Sequence, residues 1–126
     1  MATDLDIYSI PGLLAAADLS DYQYHFVELS ASKTVNVASA ADANTVGILQ
    51  DKPEAANRAC KVAGPGNISK LVLGSGGATY GNKLTPDSSG HGVVATSAQK
   101  YGAMALESGD ENDLISVLVE NGYVPA

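Results

Sequence analysis

The chain has 126 residues and carries 7 basic against 14 acidic side chains, which gives a net charge of −7. This length suits a single domain, and an acidic chain without a basic run argues against nucleic-acid binding, which depends on neutralising phosphates. Cys60 is the only cysteine, which excludes an internal disulfide, and no apolar run approaches the roughly 20 residues that span a bilayer.

Residues 1–17 mix apolar and acidic side chains and differ from the rest of the chain. Pro11 and Gly12 interrupt any regular element there, and residues 13–17 are too few for an independent helix. We predict an arm over residues 1–17, which either orders against a partner or packs on its own domain, residues 18–126. Its apolar side chains are the candidates for contact with the partner or a neighbouring subunit: Leu5, Ile7, Tyr8, Ile10, Leu13 and Leu14.

From Tyr22 onward the chain has the pattern of short β-strands separated by turns. Alternation and β-branched or aromatic content predict strands over residues 22–29, 34–37, 45–49, 58–63, 68–73, 82–85, 93–95, 101–106 and 114–119. We expect Ile68, Leu71 and Leu73 in the core and a tail over residues 121–126. Helical periodicity is weak everywhere. The pattern predicts a small all-β domain, a β-sandwich or a barrel-like (β-tulip-like) fold with an extended N-terminal arm.

No group of residues has the spacing of a catalytic or metal site. The glycine-rich residues 74–81 lack the ending and the following helix of a phosphate-binding loop. His25, His91 and Cys60 lie in different elements, whereas a zinc site needs three or four ligands. We expect His25 at a surface or interface, His91 in solvent and Cys60 as a small hydrophobe. The prediction is therefore a protein without catalysis, cofactor or metal.

Residues 22–119 resemble the capsid cement proteins, the small head decoration proteins of tailed phages. Five segments carry the resemblance in order: Tyr24-His25-Phe26-Val27-Glu28-Leu29-Ser30, Val46-Gly47-Ile48-Leu49-Gln50-Asp51-Lys52-Pro53, Asn82-Lys83-Leu84-Thr85-Pro86-Asp87-Ser88-Ser89-Gly90, Tyr101-Gly102-Ala103-Met104-Ala105-Leu106-Glu107, and Gly109-Asp110 followed by Leu114-Ile115-Ser116-Val117-Leu118-Val119. The chain has Gly81-Asn82 where the family often has Gly-Asp. The arm and the residues after Glu120 lie outside the resemblance.

The resemblance implies a structural protein that binds the exterior of a phage head, commonly as a trimer, and braces it against the pressure of packaged DNA. The implied partner is the major capsid protein, with no nucleic acid or membrane involved. The implied location is the outer capsid surface of the virion, after synthesis in the bacterial host cytoplasm. An acidic N-terminus without the basic start of a signal peptide agrees with cytoplasmic synthesis. Binding to the assembled lattice alone would stabilise it by mass action.

Two further interpretations stay open. A different virion component, such as a head fibre base or a tail protein, would differ only in its partner. A β-rich carbohydrate-binding module would present exposed aromatic side chains, and six tyrosines leave room for this although tryptophan is absent. A binding module predicts a concave pocket, whereas a cement protein predicts a flat interface and oligomers.

Overall fold

The computed structural model describes residues 10–125, which form ten β-strands and no helix. Hence no helix in this part of the chain is long and apolar enough to cross a membrane. The all-β prediction is confirmed. The strands are β1 (Leu14–Ala15), β2 (Phe26–Ala31), β3 (Thr34–Val37), β4 (Thr45–Leu49), β5 (Val62–Ala63), β6 (Ile68–Val72), β7 (Lys83–Pro86), β8 (Gly92–Val94), β9 (Lys100–Ala105) and β10 (Leu114–Tyr123).

The strands form two five-stranded sheets. Sheet A has the order β1-β3-β2-β4-β5, and sheet B has the order β6-β10-β9-β7-β8. Neighbouring strands are antiparallel except for β1 and β3, which run parallel. Sheet B curls on itself, because Leu73 directly after β6 forms a parallel bridge with Gly92 in β8. The domain thus combines two packed sheets with a partial closure of one of them.

Two hydrophobic cores lie on opposite faces of sheet A. The first fills the space between the sheets, where Phe26 and Ile48 of sheet A meet Leu71, Leu84 and Val117 of sheet B. The second covers the other face of sheet A and contains Leu13, Leu19, Val27, Val35, Leu49, Cys60 and Val62. Sheet A is therefore covered on both faces, whereas the second core does not extend to sheet B.

Strand β10 shows how alternation separates the inner and outer faces of sheet B. Ile115, Val117 and Val119 point into the first core and are at most 2% exposed. Because successive side chains of a strand point to opposite faces, Leu114 and Leu118 lie on the outer face. This alternation fixes the register of β10 against β6 and β9, since a one-residue slip would turn the core residues outward.

Two strand boundaries differ from the sequence prediction at the start of sheet A. Residues 22–25 form a turn instead of a strand, with Tyr24 at a φ of 65° and the His25 N–H donating to the Tyr22 carbonyl at 3.1 Å. β2 consequently begins only at Phe26. Of the predicted strand 58–63, only Val62–Ala63 belongs to a ladder, while Ala59 makes a single bridge to Leu14.

Two predictions for sheet B were also wrong. Ile68 is 46% exposed and Ser69 is buried, because alternation from Leu71 and Leu73 places residue 69 inside and residue 68 outside. Residues 121–123 are not a tail. They extend β10 past a bulge after Val119, and Gly122 pairs with Tyr101.

Candidate interaction surface

Part of the predicted arm packs on its own domain. Leu13 is 5% exposed in the second core, and Leu14 in β1 donates its N–H to the Lys33 carbonyl at 2.9 Å. Ile10 packs against the same core, and its N–H donates to the Val62 carbonyl at 3.1 Å. These three residues pack within the domain, and their predicted contact with a partner or a neighbouring subunit stays a prediction. Leu5, Ile7 and Tyr8 lie outside the described residues, so their contact role stays a prediction.

The outer face of sheet B is apolar across neighbouring strands. Leu118 pairs with Ile68 on one side and with Met104 on the other, which gives a continuous apolar row. Leu114, paired with Val72, begins a second row, and Leu114 and Leu106 are 47% and 42% exposed. We call this surface the apolar face: Ile68, Val72, Met104, Leu106, Leu114 and Leu118. The pair Ser116–Lys70 lies on the same outer face, between these two rows. Exposed apolar patches on a sheet face mark interaction sites.

Charged side chains within and beside the apolar face neutralise one another. Lys83 donates to Glu120 at 2.6 Å, and this hydrogen bond holds the pKa of Lys83 above its ordinary value. Lys70 lies 3.1 Å from the Ser116 hydroxyl, and the Ser116 N–H donates to Glu107 at 2.8 Å. That bond is the main cause lowering the pKa of the Glu107 carboxyl. These two lysines and two glutamates are neutral overall in a chain whose net charge is −7.

The sequence contained a signal for the apolar face that the strand prediction did not use. Residues 114–119 are apolar at five of six positions, so both faces of the strand are apolar. Such runs are typical of strands buried on both faces, yet only one face of β10 meets the core. The excess of apolar residues over what the core needs is the feature that indicates a contact beyond the domain.

A groove of about 490 Å³ lies where β4 of sheet A meets β9 and β10 of sheet B, with Leu29 and Asn121 in its lining. Tyr101 is the aromatic residue of this lining, and the protein itself already packs its ring. The Lys83 ammonium lies 4.9 Å from the ring centroid, and Gly122 lies so close that a Cβ there would fall 2.2 Å from the Tyr101 hydroxyl. Lys83 and Gly122 therefore cover part of this ring, whereas Tyr80 and Tyr123, outside the groove, are 71% and 57% exposed.

The two histidines lie in different elements, as expected, but the fold brings their rings together. His25 is 8% exposed, and its ring centroid lies 4.7 Å from that of His91. His91 is half-buried, and its Nδ1 lies 3.6 Å from a carboxylate oxygen of Asp87. Within residues 10–125, no three His, Cys, Asp or Glu side chains form a group that could hold a metal ion.

Cys60 lies in the second core, on the far side of sheet A from the interface between the sheets. Burial raises the pKa of its thiol, and the charge of Asp51 acts in the same direction. Since the thiolate is the nucleophile, this environment disfavours reaction. The expectation that Cys60 is a small buried hydrophobe agrees with this position.

Comparison with known proteins gives a likeness of fold. No family model matches the chain, and no curated protein matches it in sequence. Among solved structures, the chain is similar to the N base of the head fiber gp8.5 of bacteriophage phi29. The TM-score is 0.65 at 14% sequence identity, and the match covers 86% of this chain and 90% of that one. At this identity the likeness shows that the two chains share an all-β fold.

Proposed function

We propose that the chain is a structural protein of a phage virion, one that binds the outer surface of the head and stabilises it as a cement protein without catalysis. The observation that carries the proposal is the fold likeness to a phage head fiber base, which extends over 90% of that chain. The resemblance of residues 22–119 to cement proteins supports the same class of protein. The partner in this proposal is the major capsid protein.

The apolar face is the surface that we assign to the capsid contact. It lies on the outer face of a sheet, and a sheet face suits a flat partner such as a capsid exterior. Its neighbouring charges form two neutral sets, Lys83 with Glu120 and Lys70 with Glu107. In an otherwise acidic molecule, these four charges on the apolar face cancel, which reduces charge repulsion at a contact. Many copies on one lattice would add their modest affinities through multivalency.

Two further parts of the proposal concern assembly. We assign to Leu5, Ile7 and Tyr8 a contact with the capsid or with a neighbouring copy, because Ile10 leads into the edge strand β5 through its bond to Val62. An extended segment leaving a sheet edge can add a strand to a neighbouring sheet. We also propose a homotrimer, as the cement family implies.

A head fibre base is the second candidate, and the fold likeness favours it directly. Both candidates place the chain on the head, but they differ in what binding does. A cement protein raises the melting temperature of the head, because it binds the assembled lattice more tightly than its separated subunits. A fibre base needs only to be attached.

The decisive experiment is co-sedimentation of the purified protein with expanded heads of its phage that lack it, beside unexpanded proheads. We expect saturable binding to expanded heads only and a raised head melting temperature. Binding without a shift in melting temperature would favour the fibre base. Absence of binding to both particles would refute both candidates.

Matched variants test the assigned surface. Ile68→Asp and Leu114→Asp place a charge on the apolar face at positions 46% and 47% exposed, where the fold tolerates it. Leu29→Asp, on sheet A at 53% exposure, is the control. We expect the first two variants to lose head binding and the control to retain it. The reverse pattern would move the contact to the groove beside Leu29.

A further inference from the structure

The only two histidines of the chain meet at the joint between the two sheets. His25 belongs to the turn that leads into β2 of sheet A, and His91 lies in the turn between β7 and β8 of sheet B. Their ring centroids are 4.7 Å apart with an angle of 40° between the ring planes. The proposed head binding assigns no role to this contact, although the Tyr24 carbonyl next to His25 accepts the N–H of Val72, a residue of the apolar face.

Each ring has a defined set of neighbours. Nδ1 of His25 lies 3.0 Å from the Gln23 carbonyl oxygen, and since a carbonyl only accepts, this nitrogen carries the proton in the neutral ring. The Tyr22 ring packs edge-on against His25 at 5.4 Å. The charged groups that act on His25 are His91 and Asp87. Asp87 is the carboxylate that acts on His25 and also lies near His91.

Asp87 is already occupied by its own turn. One of its carboxylate oxygens accepts the backbone N–H groups of Ser89 at 2.8 Å and of His91 at 3.0 Å. The other oxygen lies 3.6 Å from His91 Nδ1. The carboxylate can thus stabilise a positive charge on His91, but it does not contact His25 directly.

The turn that carries His91 is fitted closely against sheet A. The Gly90 carbonyl accepts the Phe26 N–H at 2.9 Å. A Cβ at Gly90 would lie 2.5 Å from Val37 and 3.1 Å from the Phe26 carbonyl oxygen, so this glycine permits the close approach. A second backbone bond, from the Val72 N–H to the Tyr24 carbonyl at 3.1 Å, joins the sheets beside it. Displacement of either histidine ring would therefore weaken these two backbone hydrogen bonds between the sheets.

We propose that His25 and His91 form an acid-sensitive latch, in which protonation of both rings releases the β7–β8 turn from the start of β2. Two imidazolium ions at this distance repel each other, and the nearly buried His25 loses the solvation that its charge requires. When His25 is uncharged, its ring packs against that of His91 as an apolar group. The latch responds to pH whatever the protein binds.

The direction of the pH effect follows from proton binding. Burial is the main cause that lowers the pKa of His25 below its ordinary 6.5, the hydrogen bond to Gln23 opposes it, and the charge of His91 adds to it. The closed joint therefore binds a proton less well than the open joint. The contribution of uncharged His25 to the stability of the closed joint is fully present above pH 6.5. It is lost as the pH falls from 6.5 towards the lowered pKa of His25. Opening becomes up to about tenfold more favourable per pH unit for each extra proton taken up.

NMR titration of the intact protein between pH 8 and pH 5 tests the latch, because the two histidine ring signals are the only ones of their kind in the chain. We expect His25 to titrate below its ordinary value in the native protein and to move upward in His91→Gln. Over the same range, the Phe26 amide should lose protection from hydrogen exchange, after correction for the intrinsic rate. The Val117 amide, in the middle of β10, serves as the reference.

Two results would overturn the proposal. One is independent titration of both rings at ordinary values, which needs no variant. The other is a result from hydrogen exchange. The proposal is wrong if the protection of the Phe26 amide stays constant with pH, or if it changes with pH in His91→Gln as much as in the native protein. Head binding measured at pH 7.5 does not depend on the latch, so failure here leaves the proposed function intact.

Discussion

Gly47 lies so close to Ala63 that a Cβ added at residue 47 would fall 2.1 Å from the Ala63 carbonyl oxygen and 2.8 Å from Val62. The glycine sits in the middle of β4, which is flanked by β2 and β5. Since backbone atoms cannot move aside as a side-chain end can, Gly47→Ala must push β5 away from β4. We expect a loss of about 3 kcal/mol or more, the upper end of overpacking costs, measured by urea unfolding.

The control for Gly47→Ala is Gly64→Ala. A Cβ at Gly64 would meet only the end of the Ile10 side chain, at 3.2 Å. That flexible side chain can shift, so we expect a change below about 1 kcal/mol. Equal losses in the two variants would contradict the role assigned to the β4–β5 contact.

Replacing Leu71 and Ile68 separately by alanine tests which side of β6 faces the core. Leu71 is fully buried in the first core, and Ile68 is 46% exposed. We expect Leu71→Ala to destabilise by about 2–5 kcal/mol through lost burial and a cavity, and Ile68→Ala by less than about 1 kcal/mol. Thermal unfolding measures both. A larger loss in Ile68→Ala would place the strand in the opposite register.

The sequence predicted strands well where alternation is strict. Residues 114–119 were predicted as a strand and lie in β10. Because both faces of this segment are apolar, only the structure shows that Ile115, Val117 and Val119 form the core face. The strand prediction failed at residues 22–25, where the alternating aromatic residues resemble a strand. Tyr24 instead adopts a positive φ, which is uncommon outside glycine and asparagine. It also missed β1, since a two-residue strand held by Leu13 and its neighbours has no periodicity to detect.

The candidate sites depended on contacts that no local pattern encodes. His25 and His91 meet only because the β7–β8 turn folds back onto the start of β2. The apolar face, in contrast, was partly visible. Leu114 and Leu118 add apolar residues to a strand whose opposite face already supplies the core. The sequence alone does not show that the face with Leu114 and Leu118 stays uncovered by the rest of the domain.

Cys60 should react slowly with a thiol reagent in the folded protein. Its side chain is 9% exposed, and burial raises its pKa, which lowers the thiolate fraction at neutral pH. We expect labelling with a disulfide reagent at pH 8 to be at least about tenfold slower than for a free thiol and to become fast in denaturing urea. Fast labelling of the native protein would show that the second core opens around this residue.

The Lys83–Glu120 ion pair is expected to contribute little to stability despite its short distance. Both side chains are about one third exposed, at 36% and 32%, and exposed pairs of this kind are worth less than about 1 kcal/mol. In a double-mutant cycle of Lys83→Met and Glu120→Gln, we expect a coupling energy of that size at low salt. Salt screens exposed charges, so the coupling should shrink further in 1 M salt. A coupling energy above about 2 kcal/mol that persists in 1 M salt would show that the ion pair is shielded from solvent. The assignment of Lys83 and Glu120 to the border of an exposed apolar face would then be wrong.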